Sequence, residues 1–441
     1  MKQVEFPELL QKAQNYMSTN YSSLLSDTNH NKNKELLKSY LKQFLISKDI
    51  GVNGFTSDEL VTRLYEEMAE YSFLTPFLSG SNTDWEEINI NRWDDTKISY
   101  CDDRGVQRSP QQFLSPTHAN DVIRRLLRES NIIFDKAKPC VRGHLNNKIR
   151  ITVIGQGVID DDAGIACSIR YINPKKLGKQ DFVKSGTATE EMLNFLSTLY
   201  RYGISMCLAG ATGTGKTTIM SWILSTLPIF KRIYTVENTT REFDLTIRDE
   251  KGNVINNAIH TVTRDSENPS ERVTEQLLLE QGLTLNPDYI CMAEMKGSEA
   301  FETQEAARTG HAVISTVHAK SCEEIYDRLL DLCSIKGNLS GELLRISIAK
   351  AFPITFFVRK SEDNVRRIAE ICECQIDNNG CPKLNKLYQY HTFKNEKING
   401  KTVITGKFER IGIISPALQQ QLRDNGIPEN VLQKFIGGDK I

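Results

Sequence analysis

No apolar run in this chain reaches the roughly 18 residues needed to span a bilayer, and no apolar leader segment follows the opening Met1-Lys2-Gln3-Val4-Glu5. A cytoplasmic protein is therefore expected. Net charge is almost absent: 55 Lys and Arg against 56 Asp and Glu give no long-range attraction to nucleic acid or anionic lipid. Any such contact has to be local. The chain also lacks a basic stripe interleaved with aromatics, which a single-strand groove needs, and it has no N-K-x-D element for guanine.

Metal-ligand spacing is scarce as well. Of ten cysteines, only Cys372, Cys374 and Cys381 cluster, and that C-x-C-x6-C run has no fourth ligand nearby. Reduced thiols are expected rather than zinc, and structural disulfides are not expected in a reducing compartment. Hydrophobic content of 39% and charged content of 25% are ordinary globular values. The 441 residues exceed one ordinary core and suggest about two or three domains.

What the sequence does have is a complete phosphate-binding loop, Gly210-Ala211-Thr212-Gly213-Thr214-Gly215-Lys216-Thr217. Ile204-Ser205-Met206-Cys207-Leu208 reads as a buried strand before it, and Thr218 to Leu227 as a helix stopped by Pro228. Glycines let backbone N–H groups turn inward around a polyphosphate, and the helix adds its positive dipole end. Lys216 is expected on the β- and γ-phosphates and Thr217 on Mg2+. ATP or GTP is the expected ligand.

Around this loop the chain divides into four stretches. Residues 1–58 read as a polar helical extension, best formed at Glu35 to Ile46, where Leu36, Leu37, Tyr40, Leu41, Phe44 and Leu45 recur at helical spacing. Five lysines between Lys32 and Lys48 against the single acid Glu35 leave a membrane-surface or partner-docking helix open, with packing on the next domain favoured. Residues 59–174 read as an α+β domain, with strands at Glu87 to Asn91, Lys97 to Tyr100, Ile149 to Val153 and Ile165 to Tyr171. Its first two strands end in the turn Asp102-Asp103-Arg104-Gly105, and a helix carries Val122, Ile123, Leu126 and Leu127 on one face. Residues 175–189 read as a linker, entered through Asn173-Pro174 and rich in lysine. Residues 190–441 alternate helices and strands to about Val358, which indicates a parallel α/β sheet.

Three short apolar strands after the loop carry chemistry. Arg232 to Asn238 delivers Glu237 to a strand's C-terminal end, the end that faces ligand in parallel sheets. Tyr289 to Glu294 ends in a second carboxylate, in the place of a Walker B strand. Thr309 to Ala319 brackets a strand with His311 and His318; an intervening strand holds two histidines apart, so shared metal binding is disfavoured. A lone acid at a strand end is often only a cap or ion-pair partner, but beside a phosphate loop catalysis is favoured.

These blocks together resemble the secretion ATPases of type II and type IV systems. The likeness rests on the loop, on Thr235-Val236-Glu237-Asn238-Thr239-Thr240-Arg241-Glu242-Phe243, on Glu294 followed by Met295 to Ala300, and on Ser315-Thr316-Val317-His318-Ala319. Phe73-Leu74-Thr75-Pro76-Phe77-Leu78 is similar to the entry of the family's N-terminal domain. The tail from Leu387 to Tyr390 through Gly406-Lys407-Phe408 to Asn425-Gly426-Ile427-Pro428 resembles the CpaF (TadA-like) branch. Departures are Asn238 where aspartate is common, an extra Arg241, Ala293 for glycine, and Lys296 for arginine, which cannot copy a bidentate guanidinium contact.

The resemblance implies a homo-hexameric ATPase with a RecA-like C-terminal P-loop domain. It would be peripherally attached to the inner face of a cell membrane, with integral platform proteins of a pilus, secretion or conjugation system as partners. It further implies ATP and Mg2+ held by Gly210, Thr212, Gly213, Thr214, Gly215, Lys216, Thr217 and Thr218, with Glu294 on the metal or its water. Glu237 would activate the attacking water, His318 would sense the γ-phosphate, and Arg150 and Arg170 would close over it. The competing class is a RecA-like nucleic-acid motor, which the charge balance disfavours; a kinase or nucleotide switch is disfavoured by the histidine block.

Overall fold

A computed structural model describes residues 2–26, 30–100, 104–130, 132–145, 149–172, 176–264, 266, 268–336, 340–377, 381–398 and 400–437. Asp102 and Asp103 of the expected turn, and Asn173, Pro174 and Lys175 of the expected linker, lie outside them. The chain separates into two compact units, Met1–Pro174 and Lys175–Ile441. Among the described residues no helix is long and apolar enough to cross a membrane.

The first unit has two cores. Helices Phe6–Ser26, His30–Lys48 and Ser57–Ala69 bury Leu9, Met17, Leu37, Leu41, Phe44, Leu60 and Leu64 against one another. The apolar stripe of the second helix is thus covered by its neighbours rather than left for a membrane, and only Leu36 of the six residues at helical spacing is exposed. The third helix starts at a capping box: Glu59 N–H donates to Thr56 Oγ1 at 3.3 Å, and Thr56 N–H to Glu59 Oε2 at 2.8 Å. Strands β1 (Lys2–Gln3) and β2 (Ile50–Gly51) pair in parallel and tie the start of the chain to the end of the second helix, a pairing too short to show as periodicity.

The second core lies under a six-stranded antiparallel sheet in the order β5-β4-β3-β8-β7-β6. These strands are β3 (Trp85–Arg92), β4 (Asp95–Tyr100), β5 (Val106–Arg108), β6 (Cys140–Leu145), β7 (Ile149–Ile154) and β8 (Ala166–Tyr171). Helix Pro116–Glu129 packs Val122, Ile123, Leu126 and Leu127 against it. Ser115 caps that helix by accepting from His118 N–H at 3.0 Å.

The second unit is built on nine strands in the order β11-β10-β12-β13-β9-β14-β15-β16-β17. They are β9 (Met206–Ala209), β10 (Ile233–Glu237), β11 (Ala258–Val262), β12 (Tyr289–Met292), β13 (Ala312–Val317), β14 (Ile354–Lys360), β15 (Arg366–Ile376), β16 (Pro382–Ile398) and β17 (Lys401–Arg410). From β11 to β14 every neighbour is parallel, and β15 to β17 continue as an antiparallel meander. Alternate residues of β9 enter different cores: Met206 and Leu208 pack with helix Lys216–Ser225, Cys207 and Ala209 with helix Cys322–Ser334. A sheet covered on both faces favours strands that are apolar throughout, as β9 and β12 are; β13 is equally buried but carries Ser315 and Thr316.

Within the stretch read as a linker, Lys179–Lys184 forms a helix whose Phe182 is buried in this unit, edge-on to Trp222 at 5.7 Å. One aromatic flanked by lysines carries too little periodicity to announce a helix.

Candidate active site

The loop between β9 and helix Lys216–Ser225 is shaped by close approach. A Cβ on Gly210 would lie 2.5 Å from the carbonyl oxygen of Val358, and Gly215, at φ +90°, forms the left-handed entry to the helix. Lys216 folds back over the loop, donating to the carbonyls of Gly210 at 2.7 Å and Ala211 at 3.2 Å. Burial lowers the pKa of its ammonium, an effect opposed by the nearby carboxylates of Glu294 and Glu242. Thr214 is buried and its hydroxyl donates to Ala211 O at 2.8 Å; Thr212 and Gly213 are exposed, and Thr218 is half-buried.

Glu294, just past β12, is gripped from two sides: Oε1 lies 2.6 Å from His318 Nε2, and Oε2 2.8 Å from Lys296 Nζ. His318 Nδ1 in turn faces Gly210 O at 3.2 Å. The Walker B-like strand, the histidine block and the phosphate loop are therefore joined side chain to backbone. His311 stands at the opposite end of β13, where its carbonyl accepts from Ser205 Oγ.

Glu237 is fully buried, and its carboxylate is already engaged. Oε2 accepts from the backbone N–H groups of Glu242 and of Phe243 (2.9 Å for the latter), and Oε1 from Thr235 Oγ1 at 2.9 Å. It holds the turn from Asn238 to Phe243. That turn directs another acid, Glu242, whose Oε2 accepts from Thr217 Oγ1 at 2.9 Å. The water-activating role read for Glu237 falls on a carboxylate that already accepts from three donors, while Glu242 faces the hydroxyl expected to hold metal. The sequence offered one signal for this, a second acid in the same block.

A further loop neighbour carried no sequence signal. Arg366 Nε donates to Gly213 O at 3.0 Å, and the side chain packs against Gly215. It arrives there because β14 runs beside β9 and β15 turns back on β14.

Arg150 and Arg170 stand directly opposite one another on β7 and β8 of the first unit. They lie on the sheet face away from the core that buries Ile151 and Ile169. Glu87 of β3 stands opposite Arg170 on its other side, so an acid already lies in the same cross-strand row. Cys372 and Cys374 are buried on β15, whereas Cys381 is exposed. The one metal-capable cluster among the described residues is instead Cys322, Glu370 and Cys372.

The sequence profile of the type II/IV secretion system proteins matches residues 112–402, well over half of the chain and including every block of the loop site. The chain belongs to that family. A putative conjugal transfer protein of Mycobacterium tuberculosis is 25% identical over 317 residues, 70% of this chain and 85% of its own length. The type IV secretion system protein PtlH of Bordetella pertussis is 30% identical over 185 residues, covering 40% of this chain and 52% of its own. VirB11 of Brucella suis is 27% identical over 194 residues, 43% and 52% of the two chains. This chain thus spans about half the length of the PtlH and VirB11 relatives. The crystal structure of the pilus retraction motor PilT with bound ADP aligns over 82% of this chain and 89% of its own, at 15% identity and a TM-score of 0.46. That likeness is too loose to transfer chemistry.

Proposed function

We propose that this chain is an ATPase that drives protein secretion, pilus assembly or conjugative transfer. It works as a homo-hexamer at the cytoplasmic face of a membrane, beside integral platform proteins, and belongs to the CpaF/TadA-like branch of its family. The secretion and conjugal-transfer names of its relatives support the process, and the tail from Leu387 to Pro428 supports the branch.

The observation that carries hydrolysis is the convergence of acids on one phosphate loop: Glu242 on Thr217, and Glu294 on Gly210 through His318. Lys216 exchanges its loop carbonyls for phosphate oxygens, and the backbone N–H groups of the loop from Gly210 to Thr218 share that charge. The oxygen ligands of Thr217, Glu242 and Glu294 suit a hard divalent ion such as Mg2+, which when bound would neutralise charge on the transferred phosphoryl group. Glu242 orients the attacking water, Glu237 fixes the turn that aims it, and His318 reports on the γ-phosphate. Arg150 and Arg170 are further candidates to add positive charge to a nucleotide's phosphates.

The test is Lys216→Ala in the full chain. Hydrolysis falls to background, and ATP with Mg2+ raises the melting temperature of the parent but much less that of the variant, since a ligand stabilises only the state that binds it. Equal thermal shifts in the two proteins would remove the loop assignment.

A further inference from the structure

The second unit contains a pocket of about 250 Å3 that the nucleotide reading does not use. It is enclosed by β14, β15, β16 and the residues just before helix Cys322–Ser334. Phe357 in its floor belongs to the core beneath that helix, on the other face of the sheet from helix Lys216–Ser225.

Four cations line it, Lys320, Arg359, Arg367 and Lys386, against the single lining acid Glu370. Two of the four are matched. Arg367 is held by Asp363 through bonds of 2.9 and 2.6 Å, which raise its pKa, and its guanidinium lies 5.0 Å from the Tyr390 ring. Lys386 lies 3.5 Å from Glu370 Oε2, while Glu370 Oε1 accepts from Cys322 N–H at 2.6 Å. Lys320 and Arg359 pair with no carboxylate among the described residues. Arg359 instead lies 5.7 Å from the Phe357 ring, a contact that fixes the guanidinium without neutralising it.

Gathering cations around a concavity is unfavourable unless a counter-charge occupies it. The two unmatched positive charges of Lys320 and Arg359 offset that of a phosphate monoester at neutral pH, about −1.5 to −2. A guanidinium fork beside an ammonium is also the donor pairing that grips phosphate oxygens. The volume lies just below the roughly 300–1,000 Å3 of pockets for drug-sized ligands, which leaves room for a phosphate and a small organic part. Hydroxyls and an amide from Ser361, Gln389 and Thr392 line the remainder and suit a polyol.

We propose that this pocket is a second ligand site, for a small phosphate-bearing molecule whose phosphate sits between Lys320 and Arg359. The site is independent of the ATPase reading, and its test is arranged to stay so. Full-length Lys216→Ala, which lacks the loop ammonium, is titrated calorimetrically at low salt with inorganic phosphate, ribose 5-phosphate and AMP. One site is expected. Preference for ribose 5-phosphate or AMP identifies a phosphorylated metabolite, and equal or better binding of inorganic phosphate identifies free phosphate as the source.

Adding Lys320→Gln and Arg359→Gln weakens binding about tenfold for each charge removed and does not lower the ligand-free melting temperature, because both side chains are exposed and their mutual repulsion is relieved. Comparing the parent with its own double variant gives the same reading if Lys216→Ala does not fold, since the loop's contribution cancels. No binding at millimolar concentration, or affinity untouched by the two substitutions, overturns the proposal. So does substitution-sensitive binding of an acidic peptide in place of the phosphorylated probes.

Discussion

Glu294 Oε1 lies 2.6 Å from His318 Nε2, and the other nitrogen of the same ring lies 3.2 Å from the carbonyl of Gly210. Each ring nitrogen thus faces an oxygen, one of a side chain and one of the backbone. An acid after β12 and the first glycine of the phosphate loop are thereby joined through one imidazole.

Glu294→Gln keeps size and one acceptor but removes the charge. Steady-state hydrolysis is expected to fall about 10²- to 10⁴-fold while ATP affinity stays near the parent value. His318→Ala cuts the link to Gly210 and slows turnover without abolishing nucleotide binding. Hydrolysis measured beside affinity across a Mg2+ titration checks both, and near-parental turnover in Glu294→Gln would reduce that glutamate to a structural role.

Glu237 and Glu242 are expected to respond in opposite ways to the same change. Glu237→Gln keeps one oxygen for the backbone N–H groups of Glu242 and Phe243 but turns its NH2 toward the Thr235 hydroxyl, which now donates to Oε1, in a fully buried site, costing about 1–3 kcal/mol and visibly lowering the melting temperature. Glu242→Gln, only half-buried, leaves stability nearly unchanged and lowers turnover about 10²-fold or more. If Glu237→Gln proves stable but inactive, water activation returns to Glu237.

Arg150→Glu separates function from folding in the first unit. The new acid stands opposite Arg170, an arrangement that contributes about 0.2–1 kcal/mol, so stability is kept while ATP turnover falls. Full activity in this variant removes the arginine pair from the nucleotide.

Acid is expected to loosen the β14–β15 hairpin. The hydrogen bonds from Arg367 lower the pKa of Asp363 below its ordinary value. A depressed carboxylate pKa contributes stability that is present above the unfolded value, about 3.9, and lost as pH falls through the lower folded value. Asp363→Asn should therefore lower the melting temperature at neutral pH and narrow its gap to the parent below about pH 4. A gap that does not change with pH would show that the charge contributes nothing.

Much of this architecture is legible in the sequence because the motifs sit on strongly patterned elements. β9, the loop and its helix follow from apolar run, glycine spacing and Pro228, and the covered face of helix His30–Lys48 follows from its leucines. The meander from β15 to β17 is not legible: its strands mix charges with apolar residues, and its register depends on bulges at Ile371/Cys372 and Thr392/Lys394. The placement of Arg366 on the phosphate loop is hidden for the same reason, since cross-strand neighbours leave no trace in local spacing. Glu237 shows a second thing that local spacing does not carry. Its position at a strand end marks an acid near the site, but only its backbone partners show that the carboxylate is already occupied.

The meander has one more consequence. β17 closes the sheet order with no strand beyond it among the described residues, and an unpaired strand edge is a template for pairing with another chain. Here that edge carries Lys401, Lys407, Glu409 and Arg410, with Lys407 beside Glu409 and Arg410 beside Glu191, so two copies brought rim to rim have charges of both signs to desolvate before they can form a ladder. The sheet is thus guarded against growing into a fibre from that side.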